Sequence, residues 1–294
     1  MPEHSVNSLN IIGCGRAAGS LARLWGPGGS VRIGGILNRS PQSSSNAVTA
    51  LRAGKAIDSY QQFEPAECWL IGTSDEQIAT VALELSRARS DLAGCVVFHL
   101  CGRHGTEILA PLAALGCHTA AVHPVRSLTH EEISTVEFTG TACVAEGSEA
   151  ALAVLGPLFI TIGGVWLPVK NIDRGLYHAA LSIISNVTKG VAWKAQTWLE
   201  SAGLKHEMAA ALSHKLLAIT MDDLARTGAM HSITGPIVRG DTSTVEAHIQ
   251  ALEHGHSGDV EIYRVLARTV LELAMERGDL DEAALKRFRS LLTL

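Results

Sequence analysis

The sequence predicts an α/β protein: a doubly wound, mostly parallel sheet over residues 1–169, followed by an all-α domain over residues 170–294. Three observations carry this. A strand, a glycine turn, a helix and a second strand succeed one another between Leu9 and Ser40. Apolar strand-like runs then alternate with helical runs as far as Val169, the pattern of a parallel sheet. From Lys170 onward helical periodicity takes over.

The opening unit begins with the strand-like run Leu9-Asn10-Ile11-Ile12 and turns through Gly13-Cys14-Gly15-Arg16-Ala17-Ala18-Gly19 into the helical run Ser20 to Trp25. The break Gly26-Pro27-Gly28-Gly29 leads to a second strand, Val31 to Leu37, which ends in Asn38-Arg39-Ser40. This is the arrangement of a dinucleotide-binding βαβ unit. Gly13 permits the tight turn, and Gly15 lets the backbone approach a pyrophosphate. Ala18 and Gly19 keep the helix close to the sheet. Arg16 opens the helix, whose free N–H groups and positive dipole end favour phosphates. At the end of the second strand a carboxylate would hold a ribose 2′-OH, but Asn38 and Arg39 stand there instead. A guanidinium can grip a 2′-phosphate with two charge-assisted hydrogen bonds, and Ser40 adds a hydroxyl. The predicted cofactor is therefore NADP.

Further along, Pro41 to Ala53 reads as a helix and Ala56 to Ser59 as a third strand. Glu67 to Gly72 is a stronger strand, after which Ser74 or Asp75 can cap a helix from Glu76 to Arg89. Strands at Cys95 to Phe98 and His118 to Val122 flank a helix ending at Leu115. Ligands of such sheets sit beyond the carboxyl ends of the strands, which places Thr73, His99, Cys101, Gly102 and His123 on the cofactor and substrate side. Thr141 to Val144 and Val165 to Val169 supply later strands. The uncharged stretch Ala151 to Val169 is long enough to cross a bilayer. Gly156-Pro157, Gly163-Gly164 and Pro168 divide it, so it reads as a helix end, a buried strand and a turn, and no membrane span is expected.

The helical half comprises Asp173 to Ser201, Leu204 to Thr227, Val245 to Glu253, Gly258 to Arg277 and Asp281 to Leu292, punctuated by Gly203, Gly228, Gly255 and Gly278. His178, Ser182 and Asn186 stand four residues apart, on one face of a helix. An imidazole and a carboxamide stacked in this way can protonate and orient a carbonyl or imine, since free imidazole titrates near pH 6.5. Arg239, Asp241 and Thr244, in the polar interruption Ser232 to Asp241 and just after it, are candidates for substrate contact. Asp241 or Ser243 can equally cap the next helix, with Ser243 and Glu246 forming a capping box.

Composition narrows the classes. A hydrophobic content of 47% and a charged content of 18% describe a globular chain, and a net charge of -5 without a long basic run argues against nucleic-acid binding. The six cysteines include no C-x-x-C pair, so reduced thiols are expected. Met1 to Ser8 does not read as a secretory signal, and together these observations predict a cytoplasmic protein. The thirteen histidines contain no metal-ligand spacing, and no metal is expected.

Taken in order, Gly13-Cys14-Gly15-Arg16, Thr73-Ser74-Asp75, His123-Pro124 through Ser127, Tyr177-His178-Ala179-Ala180, Ser185-Asn186 and Thr234-Gly235-Pro236 through Asp241 resemble a family. It is that of Rossmann-like NADP oxidoreductases with a helical C-terminal domain of unknown function, relatives of ketopantoate reductase, pyrroline-5-carboxylate reductase and 6-phosphogluconate dehydrogenase. The resemblance implies a C-terminal domain like that of 6-phosphogluconate dehydrogenase. Where the superfamily carries a catalytic lysine this chain has His178, and of the asparagines that follow only Asn186 matches. Cys101 stands where a serine is expected. The expected function is NADP(H)-dependent reduction of a small carbonyl or imine, for instance a 2-oxo acid. His178, Asn186 and His123 would be catalytic, and Ser182 would contact substrate. The helical domain would close the cleft and, from its many apolar positions, form a homodimer. A non-catalytic NADP-binding sensor or scaffold is the alternative, favoured by the missing lysine.

Overall fold

A computed structural model describes residues 6–26, 31–128 and 135–293. The residues Met1 to Ser5 and Pro27-Gly28-Gly29, on which the leader and glycine-break expectations partly rest, lie outside them. Eight strands form one sheet: β1 (Ser8–Ile12), β2 (Arg32–Leu37), β3 (Lys55–Ile57), β4 (Cys68–Ile71), β5 (Val96–His99), β6 (His118–Pro124), β7 (Ala142–Gly147) and β8 (Val165–Pro168). Their order is β3-β2-β1-β4-β5-β6-β7-β8. All neighbours run parallel except β6 and β7. From β1 the chain winds outward to β2 and β3, then returns to β4 and winds the other way. The carboxyl ends of β1 and β4 therefore form the switch point at which such sheets bind ligands.

Period-2 alternation divides the core between the two faces. Leu9 and Ile11 of β1, Cys68 and Leu70 of β4, and Val96 and Phe98 of β5 face helices α1 (Arg16–Trp25), α2 (Pro41–Leu51) and α4 (Glu149–Ile160). Ile12, Trp69, Ile71 and Val97 face α3 (Ile78–Ala88) and the turn Thr106–Ala113. Trp25 anchors the first layer, its ring 5.1 Å from that of Phe159 and its Nε1–H donating to the Leu158 carbonyl at 3.0 Å. Asn10 breaks the apolar pattern but is satisfied: its Nδ2 donates to the Glu64 carbonyl and its Oδ1 accepts from Gly35 N–H, each at 2.8 Å.

Several local expectations change. Helix α1 begins at Arg16, four residues before the predicted run, so the glycine turn is shorter. The third strand is Lys55–Ile57. Neither Ser74 nor Asp75 caps α3 through its side chain, because a 3-10 turn over Asp75–Gln77 intervenes. Gly156-Pro157 does not end a helix: α4 runs through it to Ile160, and Gly156 leaves space for Trp166, whose Nε1 lies 3.1 Å from where a Cβ would stand. Strand β8 is the sheet edge rather than a buried strand, with Val165 and Leu167 exposed. No helix among the described residues is long and apolar enough to cross a membrane.

The chain divides into two compact units, Met1–Ile184 and Ser185–Leu294. The first keeps helix α5 (Arg174–Ser182), capped by Asp173, whose carboxylate accepts from Leu176 N–H at 2.9 Å. The helical stretch expected from Asp173 to Ser201 is present from its Asp173 cap to Ser201, with a π-helical turn at Ile183–Val187 inside it. Such turns often mark functional segments. The second unit contains helices α6 (Thr188–Ser201), α7 (His206–Thr227), α8 (Thr242–Gly255), α9 (Val260–Arg277) and α10 (Glu282–Leu291). Its core gathers Val245, Ile249, Leu271, Ala274 and Phe288. Helix α8 begins at Thr242, ahead of the predicted Val245, and of the two expected caps Asp241 is the one used, so Ser243 and Glu246 form no capping box at its start.

Candidate active site

Gly13 follows β1 at φ +83°, with its N–H donating to the Leu37 carbonyl at 2.8 Å. A Cβ there would stand 2.6 Å from Thr73 N and Cγ2, so the protein itself requires this glycine. Gly15 differs. Its backbone is extended, and an added Cβ would meet nothing nearer than the Gly72 carbonyl oxygen at 3.7 Å. The fold has room for a side chain at Gly15, so the need for glycine there comes from what approaches the turn. Gly15 is also the N-cap of α1, supplies no capping side chain, and leaves a first turn without acidic residues. Arg16 beside it is exposed and Ala18 is buried against the sheet.

Asn38 bolts the turn in place. Its Oδ1 accepts from Cys14 N–H at 2.6 Å, its Nδ2 donates to the Ser43 carbonyl at 2.9 Å, and its own N–H donates to Ser44 Oγ at 2.9 Å. Both ends of the carboxamide serve the loops that surround the cradle. Ser40 caps α2, its Oγ accepting from Ser43 N–H at 3.2 Å. Exposed Arg39 lines a cavity of about 570 Å³ together with Gly13, Asn38, Tyr60, Thr73 and Glu84. The Tyr60 hydroxyl donates to Glu84 Oε2 at 3.0 Å, and burial followed by that hydrogen bond raises the phenol pKa. Thr73 Oγ1 is buried and has no hydrogen-bond partner among the described residues. An unpaired hydroxyl at the switch point, an uncapped helix N-terminus and a turn open at Gly15 fit a dinucleotide: pyrophosphate at α1, ribose toward Arg39.

The other half of the carboxyl edge holds a histidine cluster. His99, ending β5, is wholly buried; its Nδ1 accepts from Cys101 N–H at 3.1 Å, so Nε2–H donates to the Gly105 carbonyl at 2.9 Å. Burial drives its pKa down to about 4, which fixes a neutral ring shaping the 99–105 loop. Cys101 is buried too, and burial together with the Asp75 carboxylate pushes its thiol up to about 11, so it is protonated and unreactive at neutral pH. Gly102 lets the backbone lie against His123, whose ring atoms would be 2.9–3.0 Å from a Cβ. His123 Nδ1 shares a 2.9 Å hydrogen bond with the Tyr177 hydroxyl. Burial, then the nearby His178 and Arg174, lower the His123 pKa to about 4, leaving this imidazole neutral near pH 7. The His178 ring lies 6.5 Å from that of His123 and is exposed, with Ser182 half-buried one turn later.

Two participants were not singled out in the sequence. In the sequence Tyr177 is visible only within the Tyr177-His178-Ala179-Ala180 motif, and Arg174 carries no signal. Arg174 is 8% exposed, with Nε and Nη2 donating to Glu146 Oε2 at 3.0 and 2.9 Å. A buried arginine at a helix start has no one-dimensional signature, because its partner Glu146 is 28 residues away. In the second unit, Asn186 and Arg239 are exposed. Asp241 accepts from Thr244 N–H at 3.0 Å, Thr244 Oγ1 at 2.6 Å and Ser243 Oγ at 2.8 Å. Both carboxylate oxygens thus serve the cap, and these hydrogen bonds lower the Asp241 pKa to about 2.

Residues 3–124 match the model of the Rossmann-like domain, and residues 141–270 match that of a domain of unknown function, DUF2520. The chain is a Rossmann-like protein with a DUF2520 domain. Solved structures resemble this Rossmann-like/DUF2520 chain over most of its length. Protein TM1727 from Thermotoga maritima is 24% identical, covering 91% of this chain and 98% of that one at a TM-score of 0.70. A reductive aminase from Aspergillus terreus, in complex with NADPH and ethyl levulinate, is 16% identical, covering 97% and 100% at 0.65. A pyrroline-5-carboxylate reductase from Coxiella burnetii is 17% identical, covering 99% and 100% at 0.58. At these identities the likeness establishes the fold. No curated protein matches the chain.

Proposed function

We propose that the Rossmann-like/DUF2520 chain is an NADP(H)-dependent reductase of a small carbonyl or imine compound. The observation that carries the reading is one edge of one sheet. It joins a cradle that is open at Gly15 and holds an unpaired Thr73 hydroxyl to a cluster of proton-bearing side chains after β6 and in α5. The fold is shared with a pyrroline-5-carboxylate reductase and with a reductive aminase in complex with NADPH and ethyl levulinate, which supports the reading. In this reading the backbone of Gly13, Gly15 and the first turn of α1, with Arg16 beside it, receives the pyrophosphate. Arg39 and Ser40 receive the 2′-phosphate, which makes NADP the preferred cofactor, and Asn38 acts by holding the turn. Thr73, Cys101 and Gly102 border the nicotinamide end. The bound cofactor would supply hydride.

This chain's residues handle the proton. Hydride addition leaves charge on oxygen, or a basic nitrogen, and either needs a donor nearby. His123 is neutral, so it cannot serve as an imidazolium; instead it fixes the Tyr177 hydroxyl. His178, exposed beside this pair, is the donor in our reading, and Ser182, one turn later, is assigned to substrate. We also assign a homodimer through the helical residues 170–294. Leu212, Leu216, Ile219 and Leu224 of α7 are all 41–61% exposed, more apolar surface than one helix of a lone chain ordinarily shows water. The test is oxidation of NADPH by a panel of small carbonyl and imine compounds. Oxidation coupled to a reduced product supports the reductase. Tight binding of NADPH without oxidation by any of them supports the sensor instead.

A further inference from the structure

Arg174 has more hydrogen-bonding capacity than the protein uses. A guanidinium carries five N–H donors on two edges. Glu146 occupies one edge through a single oxygen, Oε2, which accepts from Nε and Nη2. Among the described residues Nη1 has no hydrogen-bond partner, although it is buried on a side chain only 8% exposed. The remaining edge, Nη1 with the second N–H of Nη2, has the fork geometry that a carboxylate matches with two parallel bonds. A desolvated N–H group without an acceptor is unfavourable, so an anion that reached Nη1 would restore a bond the folded chain lacks.

Its surroundings narrow the ligand further. The guanidinium carbon lies 5.8 Å from the centre of the Tyr177 ring, and the Tyr177 hydroxyl is hydrogen-bonded to His123. Arg174 also lowers the pKa of both His99 and His123, as expected of a cation beside them. The anion-binding edge and the proton-bearing cluster therefore adjoin. A substrate that uses both carries its acid group close to the reacting double bond. We infer that Arg174 is a substrate-carboxylate anchor, and that the substrate is a 2-oxo acid or its imino counterpart, with the carboxylate bonded directly to the carbon of the C=O or C=N. This rests on the reductase reading above and assigns the residue that would select an acid among the small carbonyl and imine compounds.

Matched pairs test it in the full chain with NADPH: pyruvate against methyl pyruvate, and 1-pyrroline-2-carboxylate against 1-pyrroline. A carboxylate anchor predicts kcat/KM at least tenfold higher for the acid of each pair. Arg174→Lys, which keeps the charge but loses the fork, should lower the acid's kcat/KM by about 10–100-fold more than that of its neutral partner, so that the acid preference collapses. A general folding defect would lower both together. Equal turnover of acid and neutral partner by the unaltered protein would overturn the anchor while leaving the reductase intact. A second arm needs no turnover: calorimetric binding of oxamate, an unreactive 2-oxo acid mimic, to the NADPH complex. Binding that weakens at least tenfold in Arg174→Gln supports the anchor even if no compound is reduced, and oxamate binding that ignores the substitution refutes it.

Discussion

The two glycines of the cradle make opposite predictions when each is changed to alanine. At Gly13 the backbone lies at φ +83° and a Cβ would press within 2.6 Å of Thr73 N. The left-handed conformation costs a non-glycine residue roughly 1–2 kcal/mol, and forcing an atom into packed backbone about 1–3 more. Gly13→Ala should therefore destabilise the first unit by about 2–5 kcal/mol. At Gly15 the dihedrals, φ −81° and ψ −162°, suit any residue, and the nearest atom to a new Cβ is 3.7 Å away. Gly15→Ala should leave stability within about 0.5 kcal/mol, or raise it slightly by restricting the unfolded chain. Its effect should fall on the ligand instead, weakening NADPH at least tenfold, about 1.4 kcal/mol. Urea unfolding followed by the buried Trp25 and Trp69, with calorimetric titration of NADPH, reads both quantities. The reasoning fails if Gly15→Ala binds NADPH as tightly as the parent, or if it destabilises the protein as much as Gly13→Ala does.

Other outcomes follow from the same geometry. Arg39→Asp should weaken NADPH by roughly 1.5–3 kcal/mol, the value of a hydrogen bond to a charged group, with little loss for NADH; parallel titrations with the two nucleotides check this. His178→Ala should cut turnover by ~10²–10⁴-fold with NADPH affinity unchanged, and normal turnover would assign the donor to Tyr177 or a water. His99 and His123 titrate near pH 4 in the folded chain but near 6.5 when unfolded, so the unfolded state binds more protons between those values. Stability should be complete above about pH 6.5 and fall as the pH drops toward 4. Urea midpoints across that range should show the fall, and His99→Gln should flatten it. Light scattering should report a dimer at micromolar concentration, and Leu216→Glu on α7 a monomer.

The sheet was legible because its signals are local. Alternation in Leu9 to Ile12 and Cys68 to Ile71 assigns side chains to the two faces, and the glycine spacing after β1 marks the turn. The helical half was legible in outline, since its glycines fall at helix ends: Gly203, Gly228 and Gly278 have positive φ. What escaped depends on tertiary contact. Helix α4 tolerates Pro157 while its neighbour Gly156 packs on Trp166 of β8, a strand whose edge position no local pattern reveals. The π-helical turn at Ile183–Val187 has no glycine or proline to announce it. In the site, the histidines were visible but not their states. Burial makes His99 and His123 neutral, and Arg174 gains meaning only when Glu146 and Tyr177 come beside it.

The central claim is that this edge of the sheet holds NADP(H) and transfers its hydride. The most direct measurement is single-turnover oxidation of bound NADPH, deuterated at the transferable position, by the carbonyl and imine panel with the product analysed by mass. The account predicts a compound that gains one deuterium per NADPH oxidised, with the transfer slowed in His178→Ala. NADPH that binds tightly and stays reduced with every compound would contradict it, as would a reduced product that carries no deuterium.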